Sequence, residues 1–155
     1  MTEAFVRPAW AGDVEDIVAL NAALFEEDAG TRDPFTDVGW PAEEGREHFL
    51  GLLRRGGVCL LAVVEGATVG YLAGYVRGPS SLRPVAVAEL ESMYVSEDFR
   101  GGGLGARLVE DFGVWARGRG ARRLSVTAYA ANGRAISFYE RAGFRPRNVS
   151  LEADL

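Results

Sequence analysis

Four glycines stand within five positions, Gly101, Gly102, Gly103 and Gly105, directly behind Arg100, and a run of helical periodicity follows them. A turn of this composition leaves main-chain N–H groups unscreened, because glycine carries no Cβ. Where it opens a helix, those donors coincide with the positive end of the helix dipole. The chemistry this suits is the holding of an anion, above all a phosphate or pyrophosphate, and Arg100 adds a positive charge at the entrance. Upstream, Glu89 and Glu91 lie two apart in LESMYV. On a strand that spacing puts both carboxylates on one face, able to take a proton or pair with a cation. Downstream, Asn132 opens a short helix that carries the pair Phe138–Tyr139, so a helix cap and a phenol stand close together in the chain.

Composition narrows the partners. A chain of 155 residues fits one domain, residues 1–155, with room for a hydrophobic core. All seventeen basic residues other than His48 are arginine, so a Schiff-base lysine and a Walker-type phosphate loop are excluded. Cys59 is the single cysteine, which rules out an internal disulfide and makes a reducing cytoplasm the expected compartment. The first ten residues lack the basic start and apolar core of a signal peptide, and no apolar run reaches membrane-spanning length. Neither a membrane nor nucleic acid is expected as a partner, since the net charge is −5 and no basic stripe stands out. No metal is expected either, because His48 has no second histidine or ligand cluster beside it and reads as a surface or packing residue. The charge is uneven: residues 1–90 hold seven arginines against fourteen acids, residues 91–155 ten against eight. The half with the glycine turn suits an anion and the other half a cation.

The elements that must position these residues follow from periodicity. Residues 4–8 read as a strand, and Asp13 precedes a helix bearing Val14, Ile17, Val18, Leu24 and Phe25 on one side. Residues 26–40, rich in acids and turn formers, read as a loop or helical elbow, and 41–55 as a second helix begun by Pro41. Residues 58–66 and 68–78 form a hairpin about Glu65–Gly66–Ala67, and 85–95 a third long strand. A helix over 103–118, a strand over 121–129, a helix over 132–141 and a last strand within 144–155 complete one α/β domain. In that last strand Val149, Leu151, Ala153 and Leu155 alternate.

Gly101, Gly103 and Ala106 satisfy the spacing of a dinucleotide-binding turn, but the context refuses that reading. SEDFR separates the turn from its strand, and RRLSVTAYA lacks the acid expected about 20 residues on. What fits is Arg100-x-x-Gly103-x-Gly105 behind a strand ending MYV, followed 27 residues after Gly105 by NGRAISFYERAGF. Together these resemble the acetyl-CoA signature of the GNAT superfamily of N-acetyltransferases, and the order of elements agrees over almost the whole chain. LESMYVSEDFRG is also similar to the LExxxVxxxxRG stretch of diamine and polyamine acetyltransferases within that superfamily, and aminoglycoside acetyltransferases carry a comparable motif. The chain departs in one respect: only eleven residues follow Phe144, so the usual closing pair of strands is shortened or merged.

The resemblance implies a mixed, mostly antiparallel sheet with helices on both faces and splayed central strands forming a CoA cleft. It implies acetyl-CoA as co-substrate, with the pyrophosphate on the N–H groups of Gly101, Gly102, Gly103, Leu104 and Gly105 beside Arg100. Main-chain groups of the Met93–Tyr94–Val95 strand would pair with the pantetheine arm, and Asn132 would bond CoA or cap its helix. Tyr139 takes the family position of the general acid, and Glu91, ranked ahead of Glu89, that of base or water-positioner. Either glutamate could instead bind a substrate cation or an arginine. The acceptor would be a primary amine of a small molecule, met by Glu26, Glu27, Asp28, Phe35, Asp37 and Trp40 of the elbow. A non-catalytic acyl-CoA sensor and a protein N-terminal or lysine acetyltransferase stand as alternatives, and a homodimer is compatible with either.

Overall fold

The computed structural model describes residues 3–155. The chain runs β1 (Ala4–Pro8), α1 (Val14–Leu24), α2 (Trp40–Arg54), β2 (Val58–Val64), β3 (Ala67–Arg77), β4 (Val87–Val95), α3 (Leu104–Gly118), β5 (Arg123–Val126) and α4 (Gly133–Arg141). The strands form one sheet in the order β1-β2-β3-β4-β5; the first four are antiparallel and β5 lies parallel to β4. β2 and β3 are joined by Glu65 and Gly66, with φ of +49° and +81°, the mirror-type turn whose twist matches that of the strands.

Every residue of β2 is buried, which explains its unbroken apolar sequence VCLLAVV: it has helices over both faces. On one face Leu60, Leu72 and Leu90 meet Leu104, Leu108 and Phe112 of α3, with Phe138 and Tyr139 of α4 at the margin. On the other, Cys59, Leu61 and Tyr71 meet Ile17 and Leu20 of α1 and Phe49 and Leu52 of α2. Each such buried side chain contributes about 1.5–3 kcal/mol through removal from water. Burial also pushes the Cys59 thiol up to about 12, which leaves it a small apolar filler. Gly74 lets α3 come this close: a Cβ there would stand 2.4 Å from the Phe112 ring and 2.7 Å from the Glu89 carbonyl.

Of the two alternatives for residues 26–40, the helical elbow holds in its first part: helical structure continues through a π-helical turn, Phe25–Ala29, and a final turn, Gly30–Arg32, stabilised by the Asp28–Arg32 pair at i, i+4. Two elements differ from the sequence reading. Strand β5 is only four residues long. The strand expected within 144–155 does not form: residues 145–155 have no regular structure, and Val149 and Leu151 are 83% and 88% exposed. An alternating sequence needs a neighbour for its main-chain groups. Arg147 lines an open cavity with Arg122 and Arg123 at the beginning of β5, and among the described residues no strand pairs with the segment that follows.

A buried polar chain ties α1 to the sheet. Asn21 Nδ2 donates to Tyr71 Oη (2.8 Å), which donates to Ser92 Oγ (2.8 Å). Burial raises the Tyr71 phenol well above its ordinary value, so it remains a donor. Tyr71→Phe strands both neighbours and is expected to cost about 1–3 kcal/mol. Urea denaturation checks this; a midpoint equal to that of the wild type would mean that the hydroxyl stabilises nothing.

Candidate functional site

Strand β4 stays paired with β3 from Val87 to Val95, but its pairing with β5 ends at Leu90–Val126. Beyond Leu90 no strand among the described residues lies beside its outer edge. The split begins at a β-bulge: Ala73 faces Ser92 and Gly74 faces Leu90, so Glu91 is the extra residue. A bulge bends and twists its strand, which carries residues 91–95 away from β5. Ser96 donates its N–H to Val69 on β3 (2.8 Å), and alternate residues of a strand point their main-chain groups to opposite neighbours. Met93 and Val95 therefore turn theirs into the gap, where the Val95 carbonyl accepts from Arg100 Nε (2.8 Å).

The gap leads into the glycine turn. A single 3-10 turn, Glu97–Phe99, redirects the chain, and Gly103, in the left-handed region at φ +87°, is the N-cap of α3. Gly101 is left-handed too (φ +84°), and both positions would strain any residue with a side chain. The N–H groups of Gly101, Gly102 and Gly103 find no acceptor among the described residues, no side chain caps α3, and the first turn of a helix has none of its own. A Cβ on Gly101, Gly102 or Gly103 would meet nothing within 4 Å, so the turn is open rather than packed against its neighbours. Gly105 differs: its Cβ would stand 3.3 Å from the Phe138 ring, so this glycine serves the packing of α3 on α4.

Arg100 is not the free charge the sequence suggests. Its guanidinium forks onto Glu27 at 2.7 and 2.8 Å and lies over the Tyr94 ring, while Tyr94 Oη donates to the same carboxylate (2.9 Å). The side chain thus fastens the turn to the extended end of α1. One residue on, Asp28 accepts from Arg32 and from Asn132 Nδ2 (3.1 Å), while Asn132 Oδ1 caps α4 by accepting from the Ala135 N–H (3.1 Å). The elbow consequently joins the glycine turn and α4 rather than hanging as a loop. Tyr139 is packed edge-on against Phe138 and Phe144. Burial, with Asp28 nearby, pushes its phenol up to about 12.

Glu89 and Glu91 both sit on the α1/α2 face, as their spacing suggested, but Glu89 is in regular register and Glu91 in the bulge, and each has its own partner. Glu89 accepts from Arg77 (3.2 Å) and faces Tyr75. Both oxygens of Glu91 lie 2.9 Å from His48 Nε2. His48 in turn stands edge-on to Trp40 and Phe49, and Trp40 stacks on Phe25. His48, expected to be a surface or packing residue, thus holds Glu91, a partner 43 positions away that no local signal announces. Glu91 also lines an open cavity of about 560 Å³ with Leu52, Tyr75, Val76, Arg55 and Arg119. Of the remaining elbow residues, Glu26 is exposed and Phe35 is 87% exposed, so neither is drawn into the assembled part. No cluster of three metal-ligating side chains occurs among the described residues.

A sequence model of the Acetyltransferase (GNAT) family matches residues 21–144. An uncharacterized N-acetyltransferase of Methanocaldococcus jannaschii is 35% identical over 86 residues, a match that spans 56% of this chain and only 38% of that protein's length. Among solved structures, a four-substitution variant of a Bacillus halodurans protein superposes with a TM-score of 0.88 at 19% identity, covering 97% of this chain and 99% of that one. An aminoglycoside N-acetyltransferase in complex with CoA superposes with a TM-score of 0.76 at 17% identity, covering 100% and 96%. At such identities the likeness is one of fold.

The Glu27–Arg100 pair makes the elbow's attachment dependent on pH. The Arg100 hydrogen bond, opposed by partial burial and helped by Tyr94, holds the Glu27 carboxyl below its ordinary value of 4.5. A lowered carboxyl stabilises above its unfolded value and loses that contribution as pH falls through the folded one, so the fastening weakens on the acid side of 4.5. Glu27→Gln should speed amide exchange across residues 25–32 by about two- to fivefold at neutral pH, the range of a partly exposed pair. Exchange-detected mass spectrometry reads this; equal rates in variant and wild type would contradict it.

Proposed function

The chain belongs to the GNAT family of acetyltransferases, and from that premise we propose that it transfers the acetyl group of acetyl-CoA to the primary amine of a small acceptor. The observation that carries this reading is the continuity of the unpaired outer edge of β4, residues 91–95, with the bare N–H groups of residues 101–105. Acetyl-CoA, when bound, supplies an activated acyl thioester. The N–H groups of Gly101, Gly102, Gly103, Leu104 and Gly105 would receive its pyrophosphate, without help from the Arg100 charge that Glu27 already neutralises. The main-chain groups of Met93 and Val95 that face the gap would take an extended arm as an added strand, with Tyr94 buttressing the other side. A backbone donor aimed at a developing oxyanion is typically worth about 3 kcal/mol of barrier.

Proton handling divides between the two faces of the sheet. An alkyl amine is mostly protonated at neutral pH and must lose a proton before it can attack. Glu91, on the α1/α2 face and held by His48, is the acceptor we assign; Glu89, engaged by Arg77, is second. Tyr139, on the α3/α4 face, keeps its Oη proton through the whole working pH range and can deliver it to a departing sulfur. The cavity beside Glu91 is the place for the acceptor. Because Arg55 and Arg119 line it as well, an acceptor that carries an anionic group beside its amine, such as an amino acid derivative, fits better than a polyamine.

The deciding experiment is a free-thiol assay with acetyl-CoA against polyamines, aminoglycosides and amino acid derivatives. Amine-dependent thiol release is expected, with the amino acid class ahead. CoA binding without release above hydrolysis for any amine would make the protein a sensor instead. Tyr139→Phe should lower turnover at least about tenfold while leaving acetyl-CoA affinity near that of the wild type. Unchanged turnover in that variant removes Tyr139 as the acid.

A further inference from the structure

His48 is the only histidine of the chain, and its Nε2 stands 2.9 Å from each oxygen of Glu91. A carboxylate offers acceptors alone, so Nε2 carries a proton, and Nδ1 is the bare nitrogen when the ring is neutral. One donor between two oxygens takes the inner lone pair of each and leaves the outer pairs open. Glu91 meanwhile lines the cavity of about 560 Å³. Its carboxylate is therefore held from one side and free on the other.

Strand β4 by itself fixes Glu91 poorly. The residue is the extra one of the bulge and has no partner across the ladder. An extra residue also shifts the alternation by one, so Glu91 and its neighbour Ser92 serve the same face. Ser92 Oγ accepts from Tyr71 (2.8 Å), and Glu91 accepts from His48. The contacts then close into a loop. His48 stands edge-on to Phe49 at 5.1 Å between ring centroids, Phe49 edge-on to Tyr71 at 6.0 Å, and Tyr71 bonds Ser92, next to Glu91. Phe49 and Tyr71 are buried, which anchors the loop in the core. Trp40 meets the imidazole edge-on at 5.2 Å and is itself stacked on Phe25 of the elbow.

The helix that carries His48 also supplies a wall of the cavity. His48, Leu52 and Arg55 recur at i, i+4 and i+7, one stripe of α2. The first holds Glu91, and the other two line the cavity beside it. We propose that His48 is the positioning residue of the reaction: its Nε2–H fixes the Glu91 carboxylate against α2, so that one rigid helix sets both the base and the cavity wall facing the amine. This rests on the reading of Glu91 as the base, and it gives His48 no contact with either substrate. An untethered glutamate in a bulge would spread over several rotamers. Misplacing a reacting group by about 1 Å is enough to cost about a hundredfold in rate.

Turnover of His48→Phe, His48→Gln, Glu91→Gln and the His48→Phe/Glu91→Gln double variant tests this, with acetyl-CoA and the amine that the wild type acetylates fastest. His48→Phe keeps a ring for Trp40 and Phe49 and deletes the donor. Its kcat is expected to fall at least about tenfold, while both KM values move less than about threefold. His48→Gln, whose amide nitrogen can stand in for Nε2, is expected to recover most of that loss. In the Glu91→Gln background, His48→Phe should cost no more than about a further twofold, because it acts through Glu91. Equal losses in the two backgrounds overturn the proposal and leave Glu91 as the base. So does full turnover of His48→Phe beside a slowed Glu91→Gln. Full turnover of Glu91→Gln, or no amine-dependent turnover in the wild type, withdraws the base and the proposal with it. Nitrogen NMR of the single imidazole gives a readout independent of turnover: the neutral ring is expected to be protonated at Nε2, and a proton on Nδ1 instead overturns the proposal.

Discussion

Strand β4 must satisfy β3 along its whole length and β5 along only half of it, and the remainder of the site is arranged around that unequal pairing. Main-chain groups inside a protein are rarely left without partners. The bulge at Glu91 nevertheless opens the sheet there, and one of the vacated positions is filled from within the chain, when Arg100 Nε bonds the Val95 carbonyl. The helices make the opening tolerable. α3 and α4 cover one face and α1 and α2 the other, so the gap joins two otherwise separate faces of one sheet. Under the proposed reading this division has chemical use, since the base Glu91 and the acid Tyr139 approach the reacting centre from opposite sides.

Charge at the glycine turn is arranged differently from what a phosphate site is usually taken to need. Arg100, the one cation in the turn, is consumed by a bidentate bond to Glu27 and acts as a fastener. The attraction available to an anion therefore comes from main-chain N–H dipoles, whose positions are fixed by the two left-handed glycines and by the start of α3. Glu27 and Asp28 make the elbow part of the same assembly: one holds the turn, the other holds the cap of α4. A ligand in the turn would thus bear on both of these bonds through the elbow that joins them.

Much of this was legible in the chain, and what was not has physical causes. The glycine turn, the hairpin and the helices α2 and α3 were readable because local rules determine them: φ above zero at glycine, period two, period 3.6. Membership in the GNAT family followed from motif order, and the family match bears it out. The bulge at Glu91 was invisible because register belongs to a pair of strands rather than to one. The Glu27–Arg100 and His48–Glu91 contacts join residues 73 and 43 positions apart, beyond any spacing rule. The elbow stayed open between loop and helix because acids and turn formers argue for a loop, whereas a π-turn keeps its first part helical. The C-terminal segment misled in the opposite sense: its alternation was real, but a strand exists only when something pairs with it.

The central claim is that the edge of β4 and the N–H groups beyond it form one continuous binding surface for an acyl-CoA. Titration of amide-labelled protein with CoA, followed by two-dimensional NMR, tests that directly. The account predicts that the largest shifts fall together on the amides of residues 101–105 and of Met93 and Val95, with Arg122 and Arg123 at the opposite end unmoved. Shifts centred on that arginine cluster, or none at the glycine turn, would contradict it.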